Sequence, residues 1–111
     1  MGQLNFDAFQ VIADASRREI LHMLSKESLT INTIAANFDI SRPAISKHIK
    51  ILENSGFLTI EDRGRERYCL LSQDGFRQLR DWLDYYDHFW KQKLSALETL
   101  MNKNINGAST T

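Results

Sequence analysis

Hydrophobic residues recur at helical spacing in five stretches of this chain and fill two short runs between the fourth and the fifth. The first stretch, Leu4 to Ala13, carries Phe6, Phe9, Val11 and Ile12. Asp14 is placed to cap a second helix over 15–26, whose apolar set is Ile20, Leu21 and Leu24. Thr30 is placed to cap a third over 31–38, with Ile31, Ile34, Ala35 and Phe38 on one face, and Asp39-Ile40 then makes a tight turn. Ser41 opens a fourth helix reaching about Ser55. Pro43 falls in its first turn, where a missing N–H costs nothing, and Gly56 follows as the residue that ends it. Runs 57–61 and 66–71 read as strands, joined by the charged turn Asp62-Arg63-Gly64-Arg65 into a β-hairpin. Asp74 or Ser72 caps a long last helix to about Lys103, along which Phe76, Leu79, Leu83, Tyr86, Trp90, Leu94, Leu97 and Met101 recur at steps of three or four.

The order α-α-α-α-β-β-α is mainly helical with one hairpin. Two short helices joined by a tight turn and followed by a hairpin describe a winged helix-turn-helix. The pattern predicts a single domain over 1–105, which includes the long last helix from about 74 to 103, and a disordered tail over 106–111.

The fourth helix is the most informative segment. On a helical wheel Ile45, Ile49 and Leu52 fall within an arc of about 60°, a stripe that must face a core. The opposite side holds Pro43, Lys47, Lys50 and Asn54, flanked by Arg42 and Ser46. Arg and Lys can pair with guanine edges or phosphates, and Ser can serve either role, so this flank suits a DNA major groove. The positive N-terminal end of the helix adds phosphate affinity at Ser41 and Arg42. The competing reading is an ordinary solvated helix face. The two caps at Thr30 and Ser41, the turn between them and the basic hairpin favour DNA. His48 lies beside the apolar stripe and reads as a half-buried structural histidine rather than a phosphate contact.

In the hairpin Arg63, Arg65 and Arg67 alternate, so in an extended strand they would share a face. A wing tip of this kind grips phosphates or enters a minor groove, with Arg65 foremost. The alternative is an edge strand protected by charge. Arg17 and Arg18 open the second helix and are expected to pair with Asp14 or Glu19 rather than reach DNA backbone.

Charge sharpens this picture. The chain of 111 residues has 14 basic and 14 acidic groups, a net charge of zero. Residues 1–40 hold three basic and five acidic groups, residues 41–67 six and four, and residues 68–111 five and five. The middle is therefore net +2 although the whole is neutral, and for a nucleic-acid partner placement outweighs the sum. One cysteine cannot form an internal disulfide or a thiolate cluster, and a reducing compartment fits. No run approaches a membrane span, and the N-terminus lacks a basic and apolar leader, so a cytoplasmic location is expected. No Ser-His-Asp set, Gly-rich phosphate loop or convergent carboxylate pair is legible, and no enzyme is expected.

Three stretches, 13–21, 40–52 with its Ser41, Ser46, His48 and Leu52, and 56–58, together with Gly64-Arg65-Glu66-Arg67-Tyr68, resemble the ArsR/SmtB-like family of bacterial winged-helix repressors over about residues 6–103. The resemblance implies a homodimer on double-stranded DNA, an operator with two-fold symmetry and repression released by an effector. It also implies that Arg42, Pro43, Ser46 and Lys47 face the groove. Many members of that family sense metals. Here the third helix has no cysteine, and the last helix offers only Asp84 and His88 at i, i+4, with Asp87 and Glu98 nearby. Two ligands do not close a zinc site, although a dimer could double them; the preferred reading is solvated or dimer-surface side chains, and no metal or other cofactor is expected.

The stretch 81–90 resembles the last helix of the subgroup without an evident metal site. Trp82, Tyr85, Tyr86, Phe89 and Trp90 exceed what one core-facing stripe can bury. The expected use is dimer packing through the terminal helices, with Phe6, Phe9 and Leu97 also involved; a small-molecule pocket is the second. The alternative to a DNA-binding regulator is a winged helix used only for protein–protein assembly.

Overall fold

The computed structural model describes residues 6–109, with side chains as far as Lys103. In chain order the elements are α1 (Ala8–Ile12), α2 (Ala15–Leu24), β1 (Leu29–Thr30), α3 (Ile31–Ala36), α4 (Arg42–Asn54), β2 (Leu58–Arg63), β3 (Glu66–Leu71) and α5 (Asp74–Ser109). Packing divides the chain into two units, one ending at Leu79 and the other starting at Arg80.

Four helices begin where a short polar side chain can take up an orphan N–H. Asp7 and Gln10 form a reciprocal capping box, each accepting the other's backbone N–H at 2.8 and 2.9 Å. This start shortens α1 relative to the expected Leu4–Ala13. Phe6 lies outside the helix and packs against the core, while Leu4 and Asn5 lie outside the described residues. Asp14, Thr30 and Ser41 cap α2, α3 and α4 as expected. Gly56, with φ of 78°, is the left-handed residue just past the C-cap of α4.

The sheet has order β1-β3-β2, all antiparallel. Its first strand is missing from the sequence reading. Leu29 pairs with Cys69 and Thr30 with Tyr68, and two residues are too short to display a period of two. The first hairpin strand runs two residues further than expected, to Arg63, which pairs with Glu66 where the second strand begins as expected, leaving a two-residue turn. Gly64 has φ of 65°, at the position where a type II′ turn wants glycine.

The core of the first unit joins Val11, Ile20, Ile34, Ile45, Ile49, Leu52, Phe57, Leu58 and Cys69, all essentially inaccessible. Phe57 stacks edge-on against Phe76 with ring centroids 4.9 Å apart. Gly75 lets the start of α5 approach that ring, because a Cβ there would lie 2.6 Å from it. The Gly75 N–H donates to the Gly56 carbonyl at 2.8 Å, fixing the approach.

In the second unit α5 continues to Ser109 rather than ending near Lys103, so it takes in 106–109 of the expected tail. Asn and Gly are poor helix formers, but an established helix gains one hydrogen bond per added residue and weak propensity alone does not stop it. Among the described large apolar side chains of this unit, Tyr85 is 67% exposed and Phe89, the most covered of them, 38%.

Candidate nucleic-acid interface

The wheel expected for α4 is the one observed. Ile45, Ile49 and Leu52 are 0–2% exposed and lock the helix to the core. Arg42, Pro43, Lys47, Lys50 and Asn54 are exposed on the other side, and Ser46 is half-buried beside them. Ser41 accepts the Ala44 N–H at 3.2 Å, so its hydroxyl is occupied as a cap while the residue itself stays exposed.

Arg42 is held in place. Its Nε donates to Asn32 Oδ1 at 3.1 Å and one terminal nitrogen donates to Ser46 Oγ. The guanidinium therefore bridges α3 and α4. Asn32 was not singled out from the sequence, although its exposed place on a short helix just before the turn was a usable signal. By contrast, the side chains of Lys47, Lys50 and Arg65 have no hydrogen-bond or ion-pair partner among the described residues.

The hairpin corrects one expectation. Arg63, Arg65 and Arg67 do not share a face, because the chain reverses at Gly64-Arg65. Arg63 lies opposite Glu66 and Arg67 opposite Asp62, so Arg63 and Arg67 project from opposite faces of the ribbon. Arg63 bonds Glu61 at 3.3 Å and sits over the Tyr68 ring at 4.5 Å. Arg67 bonds Asp62 at 3.2 Å. Arg65 alone stands at the tip. A cleft of about 400 Å³ opens between the start of α3, Arg42 and the wing residues Arg65, Glu66 and Arg67.

Behind α4 the supporting polar cluster also differs from expectation. Arg17 is only 8% exposed. Its Nε donates to the Val11 carbonyl at 2.7 Å, and a terminal nitrogen donates to the Gln10 carbonyl at 3.1 Å. Arg18 donates to the Ile12 carbonyl at 2.7 Å. Both arginines thus serve the C-terminal carbonyls of α1, where the helix leaves acceptors short of partners; the Gln10 carbonyl also takes the Ala13 N–H at 3.3 Å. His48 is half-buried, as expected, with Nδ1 3.3 Å from Arg17 and 4.0 Å from Asp14. Partial burial raises the Asp14 carboxyl pKa, but the Arg17 N–H bond and the charges of His48 and Arg17 outweigh it, and the net shift is downward.

Cys69 is wholly buried, and burial pushes its thiol up to about 11, in keeping with a small core residue. Asp84 forms an ion pair with Arg80 at 3.8 Å and His88 lies 3.2 Å from Gln92. Among the described residues no three His, Cys, Asp or Glu side chains gather at one point. Trp82, Tyr85, Tyr86, Phe89, Trp90 and Leu97 are all exposed on α5, with Trp82–Tyr86 and Tyr85–Tyr86 rings 5.0 Å apart. Phe9 is 40% exposed, whereas Phe6 is half-buried, with Arg17 over its ring at 5.5 Å.

Two short helices with a tight turn, the second presenting a polar and cationic flank beside an arginine-tipped hairpin, define a winged helix-turn-helix DNA-binding domain. Residues 14–59 match the family described as "Bacterial regulatory protein, arsR family". The chain is 32% identical over 95 residues to the HTH-type transcriptional regulator Rv2034 of Mycobacterium tuberculosis, covering 86% of each. It is 31% identical over 77 residues to the transcriptional repressor SdpR of Bacillus subtilis, covering 69% of this chain and 86% of that one. A crystal structure of a possible transcriptional regulator for arsenical resistance superposes with a TM-score of 0.67 at 37% identity, over 73% of this chain and 84% of that one. The chain belongs to the arsR family of bacterial transcriptional regulators.

Proposed function

We propose that this regulator is a homodimeric repressor that binds a two-fold symmetric operator, with α4 in the major groove and the β2–β3 hairpin as its wing. The observation that carries the reading is the division of α4, whose apolar stripe is wholly buried while Lys47 and Lys50 stand exposed and unpaired. Arg42, held by Asn32 and Ser46, faces base edges with Pro43 and Ser46 beside it, and Ser41 and Arg65 reach the backbone on either side, with Arg63 and Arg67, paired to Glu61 and Asp62, flanking the tip. The repressor named among the relatives supports the direction of regulation. No helix among the described residues is long and apolar enough to cross a membrane, and a cytoplasmic protein fits this role.

A second copy is the natural cover for α5. Its ten large apolar side chains from Trp82 to Met101 are 38–67% exposed, which leaves on the order of 1,000 Å² per chain for an interface and clears the size of a stable dimer. Two copies would set their α4 helices about 34 Å apart, one turn of B-DNA. Selection of bound sequences from a random DNA pool, followed by gel shift, tests the reading. The expected product is a palindrome bound by the dimer; no binding at low salt would leave only an assembly module.

A further inference from the structure

We propose that the first unit holds a site for an amphipathic monocarboxylate, its apolar tail in a groove between α1, α2 and the start of α5 and its head group on Arg18 and His22. The groove has a volume of about 490 Å³, within the range of small-molecule sites. Its walls are Ile12, Leu21, Leu71, Phe76 and Leu79, supplied by four different elements or their ends. Leu71 is 40% exposed there although it lies in a strand that otherwise delivers Cys69 to the core.

The polar groups of this groove point to the sign of the ligand. Arg18 and His22 stand at i, i+4 on α2 and so rise from the same face. One terminal nitrogen of Arg18 donates to the Ile12 carbonyl at 2.7 Å, which anchors the guanidinium at the groove end. That bond uses one of its five N–H donors. The His22 ring, exposed, has no partner among the described residues, and an imidazole offers at least one N–H in either protonation state. None of the described lining residues is acidic. An apolar floor with two adjacent donors and no carboxylate of its own selects a ligand with a greasy body and an anionic end. A cationic ligand would be repelled by Arg18, and an uncharged one would offer only a neutral acceptor, without the charge-assisted bond.

This site gives a chemical class to the effector that the repressor reading leaves open, and it rests on that reading only for its consequence on DNA. Isothermal titration of the full-length protein with decanoate, octanoate and decanol, each below its micelle concentration, tests it. Each buried methylene is worth about fourfold in affinity, so octanoate should bind about 16-fold more weakly than decanoate. Decanol should bind at least tenfold more weakly. His22→Ala, which removes the donor, should weaken decanoate about fivefold and change decanol far less, and Leu71→Trp, which fills the groove from an exposed position, should abolish both. A circular-dichroism melt confirms that each variant folds. Equal affinity for decanoate and decanol, binding indifferent to Leu71→Trp, or no binding at all would overturn the proposal. Absence of binding together with loss of dimer in Leu71→Trp would assign the groove to the second copy instead. A gel shift with and without decanoate is scored separately. Failure to bind DNA sinks the repressor reading while the titration still decides the site.

Discussion

Arg65→Ala offers the sharpest test of the wing. Arg65 is exposed at the tip of the two-residue turn, and its side chain has no partner among the described residues. The strand pairs Arg63↔Glu66 and Asp62↔Arg67 do not depend on it. Its removal should therefore change folding stability by no more than about 0.5 kcal/mol. If each copy places this guanidinium on one phosphate, the dimer loses two contacts. Each contact contributes about 0.9 to the slope of log affinity against log salt, so the slope should flatten by about 1.8. Between about 50 and 200 mM salt, a change of about 0.6 in the logarithm, the defect of the variant should shrink roughly tenfold. Fluorescence anisotropy with a selected operator, titrated at four salt concentrations, reads this directly. Arg67→Ala is the comparison, because Arg67 is already bonded to Asp62; its slope should change by less than half as much. An Arg65→Ala protein with wild-type slope would refute the placement of the wing on the backbone.

Other consequences follow from the same geometry. Lys47→Ala should weaken operator binding by about 1–3 kcal/mol if it reads a base, with a melting temperature unchanged in a thermal scan. Gly75→Ala should destabilise the first unit by about 1–3 kcal/mol in urea unfolding, since its Cβ meets the Phe57 ring at 2.6 Å. Phe57→Ala should cost about 3–5 kcal/mol by the same measurement. Asp14 has a depressed carboxyl pKa, so its contribution to stability is present above the ordinary value of 3.8 and is lost as pH falls through the folded value. Asp14→Asn should flatten the stability profile in that acid window, and an unchanged profile would show that the Arg17–His48 cluster contributes nothing there. Cys69, fully buried with a raised pKa, should react with a thiol reagent only at the rate of unfolding.

The parts of the fold legible in the sequence are those fixed by local rules. Caps at Asp14, Thr30 and Ser41, the left-handed Gly56 and the stripe Ile45-Ile49-Leu52 all act within a few residues of themselves. Features set by distant partners were hidden. β1 exists because Leu29 and Thr30 meet Cys69 and Tyr68, some forty residues away in sequence. Arg17 serves the carbonyls of α1 because the packing of α1 on α2 leaves those acceptors within reach, an outcome that neighbouring acidic residues could not signal. The wing showed both limits at once: its existence was clear from composition, but the facing of its arginines depended on where the chain reversed. The candidate site was likewise half visible. Arg42 and Ser46 could be placed on a flank from periodicity alone, whereas their link to Asn32 required α3 and α4 to be set side by side.

A neutral chain can still be a strong polyanion ligand if its charges are sorted by pairing. Glu61 and Asp62 neutralise Arg63 and Arg67 at 3.2–3.3 Å, distances far shorter than the Debye length of about 8–10 Å at physiological salt. Seen from an approaching phosphate, such pairs are nearly silent dipoles. Lys47, Lys50 and Arg65, together with Arg42, whose partners Asn32 and Ser46 are uncharged, remain as net charge on α4 and the wing. The counterion release on binding should therefore follow those four groups rather than the chain's formal charge of zero. Four cations in each of two copies would give a salt slope of roughly −7. A slope near zero would mean that neutrality, not pairing, governs the interaction, and that α4 approaches DNA without its lysines.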